Sequence, residues 1–216
     1  MRNVVLTSGG IDSAVCLALS CFRDGPAETT ALGIAYGQRH INELTHARAL
    51  AQRCGCTWLV SHLDPSPWKR LPLMTGTTAS DRPVYAMRGG GVSDAFLPGR
   101  NVAFLGIAHM VAGVTGADRV WIGATRDDAA GFPDCRPTFV QAWEEAASLA
   151  LGRPLALEAP LLELDKRGVV QLARAMALDL EATWSCYRPQ DTPRGAVPCG
   201  RCDACILRRD ALRDGA

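Results

Sequence analysis

Lysine is nearly missing from this 216-residue chain: of its 23 basic residues only Lys69 and Lys166 are lysine, and 21 are arginine. An excess of charge of either sign is missing too, because 22 acidic residues leave a formal net charge of +1. Such a balance gives no chain-level pull toward DNA, RNA or an anionic membrane surface. No apolar run approaches the ~18 residues that a membrane helix needs. The opening Met1-Arg2-Asn3-Val4-Val5-Leu6 is strand-like and shorter than the ~7–15 apolar residues of a secretory core segment. These absences lead us to expect a cytoplasmic protein with no membrane and no stable nucleic-acid partner. What is present suits a folded chain, 48% hydrophobic and 21% charged, too apolar for disorder. The length suits one α/β domain with a small appendage.

Cysteine, by contrast, is plentiful. Nine is an odd count for a disulfide framework, and no export signal accompanies it. Four of the nine, Cys186, Cys199, Cys202 and Cys205, fall close together near the C-terminus. Cys199, Cys202 and Cys205 form two overlapping Cys-x-x-Cys turns, and Cys186 supplies a fourth thiolate from upstream. Four thiolates close a tetrahedral shell around Zn²⁺, so the expectation is a structural zinc site. Gly200 permits the tight turn between ligands. Four thiolates on one Zn²⁺ leave a net −2, which Arg188, Arg201, Arg208 and Arg209 can offset. A four-cysteine iron–sulfur centre shares this spacing and stays open as the alternative.

Strand-like and helix-like patterns alternate along the chain. Val4–Leu6 leads into a helical pattern over Ile11–Phe22, and Thr30–Tyr36 reads as a buried strand followed by a helix from about Asn42 to Cys54. Trp58–Val60 is a third strand. Residues 64–100 lose periodicity under five prolines and Gly89-Gly90-Gly91, a long irregular stretch of the kind that forms lids or stays disordered. A helix from Asn101 to about Thr115, a strand over Arg119–Gly123, a loop over 125–137 and a helix over Pro137–Leu151 follow. Leu155–Leu157 is the last expected strand, and Asp165 caps a helix reaching about Met176. The alternation predicts βαβ units and a parallel sheet of about five strands flanked by helices.

Ser8-Gly9-Gly10-Ile11-Asp12-Ser13 stands at the first strand–helix junction. Two glycines let the backbone fold into an anion-binding nest, and the helix start behind it adds aligned N–H dipoles. Ser8 and Ser13 add hydroxyl donors. Asp12 beside a phosphate implies a helix cap or a magnesium ligand. The lysine of a Walker A loop is missing. A bare Gly-Gly turn is usually ordinary; this one occupies the place where α/β folds bind ligands.

Ser8–Ser13 resembles the PP-loop of the ATP pyrophosphatase family, which cleaves ATP between the α and β phosphates. Together with the cysteine module it narrows to a closer likeness. Tyr36-Gly37-Gln38-Arg39-His40, Pro98-Gly99-Arg100-Asn101, Gly131-Phe132-Pro133-Asp134-Cys135-Arg136, Asp165-Lys166 and Thr183-Trp184-Ser185-Cys186-Tyr187 resemble, in order, the 7-cyano-7-deazaguanine (preQ0) synthase family of queuosine biosynthesis.

That resemblance implies a Rossmann-like PP-loop ATPase fold, with an adenylation domain over 1–182 and a four-cysteine zinc module with a C-terminal helix over 183–216. It implies an ATP-dependent ligase that joins 7-carboxy-7-deazaguanine and ammonia and carries the product to the nitrile. Ser8, Gly9, Gly10, Asp12 and Ser13 are the implied ATP site, with Mg²⁺ accompanying ATP, and a homodimer is implied as the assembly. Arg100 is read as gripping phosphate or carboxylate while Asn101 caps. Lys166 neutralises charge developing on an adenylate, or is an exposed first-turn residue. Phe132, Asp134, Arg136, Gln38 and Arg39 form the implied substrate pocket. Asp134 either accepts from a guanine-like N1–H and amine or caps the next helix. Cys135 reads as a small buried residue, and His46, His62 and His109 as structural.

Four departures from the family pattern fall near that pocket. Ala129 and Ala130 stand where an aromatic residue and a serine are usual, Phe132 replaces a tyrosine, the segment around Met74–Ala79 matches loosely, and the insert over Pro189–Pro198 is long. They open two alternatives: a relative that stops at the amide, or one that couples the carboxylate to another amine, for example on a protein. A tRNA-modifying PP-loop enzyme is a further rival that the +1 net charge does little to support.

Overall fold

The structure, a computed structural model, describes residues 1–37, 41–69, 87–88, 92–93, 97–193 and 195–214. Its centre is a five-stranded sheet built from β1 (Asn3–Leu6), β2 (Thr29–Ala35), β3 (Thr57–His62), β6 (Arg119–Trp121) and β7 (Ala156–Glu158). The spatial order is β3-β2-β1-β6-β7, and every pairing is parallel.

A parallel sheet is covered on both faces, so its central strand must be apolar on both sides. β1 shows the consequence. Adjacent side chains point to opposite faces, and Val4 and Val5 are both fully buried. Val5 packs with α1 (Ile11–Asp24), α6 (Lys166–Ala175) and α7 (Asp203–Asp214) through Val15, Leu17, Val169, Val170 and Ala211. Val4 packs on the other face with α3 (Arg100–Thr115), through Leu105, Ala108 and Ala112, and α5 (Pro137–Leu151), through Ala147. The two layers therefore divide at a single residue step in β1.

Chain order reverses between β1 and β6. The chain winds outward through β2, α2 (Ile41–Cys54) and β3, then returns to the other side of β1. Such a reversal opens a crevice at the carboxyl ends of the two central strands.

The main expected elements are present, and several differ in detail. The stretch 125–137, expected as a loop, contains α4 (Arg126–Gly131) and a 3₁₀ turn over Pro133–Cys135. A capping box nucleates α4: Thr125 Oγ1 accepts from Asp128 N at 3.2 Å, and Asp128 Oδ2 accepts from Thr125 N at 3.0 Å. Asn101 does not cap α3. The cap position is Gly99, at φ +76° with no side-chain bond, and Asn101 instead donates to the Asp134 carbonyl and to Cys135 Sγ. β6 ends at Trp121 rather than Gly123, and β7 sits one residue later than expected. Within 64–100, the short antiparallel pair β4 (Met87–Arg88) and β5 (Val92–Ser93) interrupts a stretch expected to be irregular.

After α6 the chain crosses beneath the first loop at Thr183–Cys186. It then forms a small hairpin, β8 (Gln190–Thr192) with β9 (Gly195–Val197), and ends in α7. Arg208 on α7 donates to Leu180 O at 2.5 Å and to Thr183 Oγ1 at 2.6 Å, tying that helix to the crossing segment. It is thereby committed to structural bonds.

Candidate active site

β1 delivers Ser8–Ser13 to the crevice. A side chain at Gly9 would bring its Cβ within 2.4 Å of the Glu43 carbonyl and 3.0 Å of Ala47 N, and its φ is +88°. Both facts require glycine. Ser13 closes the loop on itself: its hydroxyl donates to Gly10 O at 3.0 Å and accepts from Ser8 N at 3.2 Å. Gly10 caps α1 without a side-chain bond. The first N–H groups of a 14-residue helix therefore point into the crevice, an arrangement suited to anions.

Asp12, in the first turn of α1, is held by Lys166 from the first turn of α6. Lys166 Nζ donates to its two carboxylate oxygens at 2.7 and 2.5 Å. Asp165 caps α6 as the sequence suggested, accepting from Gly168 N at 2.9 Å. Gly123, just past β6, approaches the Asp12 backbone so closely that a Cβ there would lie 3.0 Å from it. Thus β6, α1 and α6 converge on one carboxylate.

A cleft of about 290 Å³ runs from this loop to the start of α3. Thr7, Ser8, Asp12 and Ser13 of the loop line it together with Arg100, Asn101, Asp128, Phe132, Cys135 and Tyr187, and Leu32, Ile34, Tyr36, Phe104 and Ile122 add apolar and aromatic surface. Sequence-expected Ser8, Asp12, Ser13, Arg100 and Phe132 are thereby brought together. Lys166 reaches this set through Asp12.

Asp134 and Arg136 are placed elsewhere. Asp134 is buried outside the lining, where its carboxylate accepts from Asn101 N at 3.2 Å and anchors the start of α3. Arg136 is exposed and donates to Ala129 O at 3.3 Å. Ala129 and Ala130 also lie outside the lining, so among the described residues that depart from the family pattern Phe132 alone faces the cleft, while Met74–Ala79 lies outside the described residues. Gln38 and Arg39 lie outside the described residues.

The cleft also contains residues to which sequence reasoning gave no role. Burial pushes the Glu43 carboxyl up to about 7, against the opposing pull of Arg100. Burial raises the Tyr36 phenol as well. Burial works against the Arg100 charge, yet Tyr36, Tyr187, Asp134 and Cys135 outweigh it and hold the guanidinium above its ordinary range. Burial lifts Asp128, opposed by its Thr125 hydrogen bond, and pushes the Cys135 thiol up to about 12. Glu43 stands in the first turn of α2 with no pattern marking it. Its signal was spatial: the Gly9 backbone packs against its carbonyl.

The four C-terminal cysteines meet. Each sulfur of Cys186, Cys199, Cys202 and Cys205 lies within 4.8 Å of the others. Backbone N–H groups already point at them: Cys199 N and Arg188 N donate to Cys186 Sγ at 3.2 and 3.3 Å, and Cys202 N to Cys199 Sγ at 3.3 Å. Gly200, at φ +71°, forms the turn. Such N–H···S bonds stabilise thiolates and orient them toward a shared metal. The donor set and spacing fit zinc.

The cysteine module touches the loop. Trp184 N donates to Gly9 O at 2.8 Å, and its indole N–H bonds Cys186 O at 3.0 Å. The Trp184 ring stacks on His46 at 5.1 Å, and His46 Nδ1 bonds Ala182 O at 2.8 Å. His46, read as structural, is so used.

A parallel sheet with a glycine loop opening α1 at its order reversal, joined to a cleft of mixed charge, defines a nucleotide-handling α/β protein of the PP-loop class. The chain matches the family described as Queuosine biosynthesis protein QueC over residues 2–215. It belongs to that family.

Among its relatives, 7-cyano-7-deazaguanine synthase of Azoarcus sp. (strain BH72) is 40% identical over 219 residues, covering 98% of this chain and 92% of its own. The synthase of that name from Anaeromyxobacter sp. (strain Fw109-5) is 39% identical, covering 99% and 92%. A solved glutamine-dependent NAD+ synthetase from Acinetobacter baumannii, in complex with ADP, superposes with TM-score 0.53 at 17% identity, over 81% of this chain and 28% of that one. A structure described as a predicted subunit of tRNA methyltransferase from Methanocaldococcus jannaschii gives 0.52 at 16%, over 99% and 88%. At such identities these two likenesses bear on the fold alone.

Proposed function

We propose that this protein is an ATP-dependent C–N ligase that converts 7-carboxy-7-deazaguanine and ammonia to 7-cyano-7-deazaguanine. The observation that carries the reading is one cleft lined by both the Ser8–Ser13 loop and a guanidinium with aromatic side chains, in a chain that matches the family over residues 2–215.

In this reading the substrate carboxylate attacks the α-phosphorus of ATP and pyrophosphate leaves. Ammonia attacks the acyl adenylate and displaces AMP, giving the amide. The amide oxygen then attacks the α-phosphorus of a second ATP and a second pyrophosphate leaves; loss of AMP with the remaining N–H protons gives the nitrile. The protein's part is positioning and charge neutralisation. The loop N–H groups and the Ser8 and Ser13 hydroxyls hold phosphate oxygens, while Arg100 and Lys166 steady developing negative charge. Asp12 is the residue that would hold Mg²⁺ arriving with ATP, and the metal's contribution is to neutralise the pyrophosphate leaving group. Glu43, with a carboxyl near neutrality, accepts protons shed by nitrogen.

Phe132 supplies the stacking face for the deazapurine. Cys186, Cys199, Cys202 and Cys205 hold structural zinc, and residues 183–216 act as a module packed on the 1–182 adenylation domain. The outer face of α3, where Val102, Met110 and Val114 are 52%, 63% and 90% exposed, supports the homodimer reading.

Incubation with 7-carboxy-7-deazaguanine, ATP, Mg²⁺ and ammonium tests the proposal. AMP and pyrophosphate should form only with the carboxylate present, and the nitrile should accumulate. Release of ADP, or no dependence on the carboxylate, would refute it. The missing Phe132 hydroxyl favours one second reading, a reaction ending at the amide, in which that product would accumulate without the nitrile.

A further inference from the structure

Asp128 spends one carboxylate oxygen on the fold and leaves the other to the cleft. Its Oδ2 accepts from Thr125 N at 3.0 Å and from Thr125 Oγ1 at 2.7 Å, the bonds that start α4. Among the described residues no donor meets its Oδ1. The side chain nevertheless lines the cleft, and burial raises its carboxyl against the pull of the Thr125 hydroxyl. A carboxylate oxygen drawn out of bulk water without a donor costs free energy, and a donor brought by a ligand removes that cost. The capping box accounts for Oδ2 alone.

The same short helix supplies a flat neighbour. Phe132 stands four residues on, its N–H donating to Asp128 O at 2.8 Å, so the two side chains lie one turn apart on one side of α4. Residues so spaced have Cβ atoms about 5–6 Å apart. Phe132 is buried against Ala124, Cys135 and Leu162 and also lines the cleft. An aromatic face beside an anionic acceptor suits a flat heterocycle with an N–H donor on its edge. Asp134, outside the lining and bonded to Asn101 N, offers no such acceptor to the cleft.

We propose that Asp128 selects the amino-bearing edge of the substrate: its Oδ1 accepts from the 2-amino group of the deazapurine while the ring stacks on Phe132. The assignment rests on the functional reading above and adds the residue that sets its heterocycle specificity. Asparagine at this position has a forced orientation. Thr125 presents two donors to Oδ2, so the amide oxygen must take the cap and the amide NH₂ must face the cleft. A donor then meets the donor of the substrate.

AMP release from 7-carboxy-7-deazaguanine and from its analogue without the 2-amino group (7-carboxy-7-deazahypoxanthine) tests this on the full chain. The wild type should prefer the amino-bearing substrate at least ~10-fold in kcat/KM, because the analogue leaves a buried charged acceptor unpaired. Asp128→Asn should erase that preference by slowing the amino-bearing substrate, with the analogue and the KM for ATP nearly unchanged. Thr125→Ala, which weakens the cap but leaves Oδ1 in place, should lower the melting temperature and keep the preference. Equal use of both substrates by the wild type, equal loss of both in Asp128→Asn, a raised Mg²⁺ requirement in that variant, or loss of the preference in Thr125→Ala would each overturn the assignment and leave the functional reading standing. A wild type that releases no AMP with either substrate would refute that reading and this assignment together.

Discussion

Lys166 Nζ reaches both oxygens of the Asp12 carboxylate, at 2.7 and 2.5 Å, across 154 residues of sequence. The pair joins the first turn of α1 to the first turn of α6, beside the loop that opens the cleft. An ammonium in a helix's first turn gains nothing from that helix's dipole. Its place is explained by the carboxylate that it meets.

Asp12→Ala and Lys166→Met should each lower pyrophosphate release at least ~10²-fold, with the fold intact by circular dichroism, because each removes charge stabilisation near the transferring phosphoryl group. The double variant should be far less impaired than the product of the single effects, since the pair acts as a unit. Multiplicative losses would show that the contact has no bearing on turnover.

Glu43 makes the pH dependence specific. Its carboxyl titrates near 7 in the fold against an ordinary 4.5, so between those values the folded state binds more protons than the unfolded one. Its contribution to stability is therefore complete below about 4.5 and is lost as pH rises through about 7. Glu43→Gln should flatten the stability profile over that window and raise the melting temperature above pH 7. If Glu43 accepts protons, wild-type kcat should rise through about pH 7 and the variant should lose that limb. An unchanged pH–rate profile in Glu43→Gln would remove it from the reaction.

The segment that carries Cys186 is joined to the loop by a hydrogen bond, Trp184 N to Gly9 O at 2.8 Å. Cys202→Ser should lose zinc and several kcal/mol of stability, since a closed thiolate shell contributes directly to folding. It should also weaken ATP binding. Metal analysis of the wild type gives the first check: one zinc per chain is expected, and well under one would refute the assignment, as would iron with sulfide.

Phe132 separates the two outcomes at the substrate end. Phe132→Tyr should tighten carboxylate binding by roughly 0.5–1.5 kcal/mol if the new hydroxyl finds a partner on the deazapurine. Ala130→Ser should change nothing, because Ala130 is exposed and outside the cleft lining. Unchanged affinity in Phe132→Tyr would place the substrate elsewhere, whereas a loss would mean that the substrate covers the new hydroxyl without offering it a partner.

The sheet and its helices were legible because parallel strands buried on both faces read as short apolar runs, and their helices carry clear 3.6-residue patterns. The loop and the cysteine module were legible for another reason: contiguous residues form both. Residues united only by packing were not. α4 was hidden by a composition of Asp, Gly and Pro that suggests a loop, although Thr125 and Asp128 stand at capping-box spacing. Asp134 illustrates the converse. The sequence left it open between a ligand contact and a helix cap, and only the fold shows that its carboxylate accepts from Asn101 N at the start of α3, where a buried helix start needs an acceptor. Glu43 became visible only when the fold set it against Gly9.

The oxygen atoms of the substrate test the central claim most directly. With 7-carboxy-7-deazaguanine carrying ¹⁸O in both carboxylate positions, each adenylation should transfer one labelled oxygen to AMP. Mass spectrometry should then find two singly labelled AMP molecules for every unlabelled nitrile. Label in pyrophosphate or phosphate, or AMP without ¹⁸O, would show that the carboxylate and amide oxygens never attack the α-phosphorus, and would contradict the account.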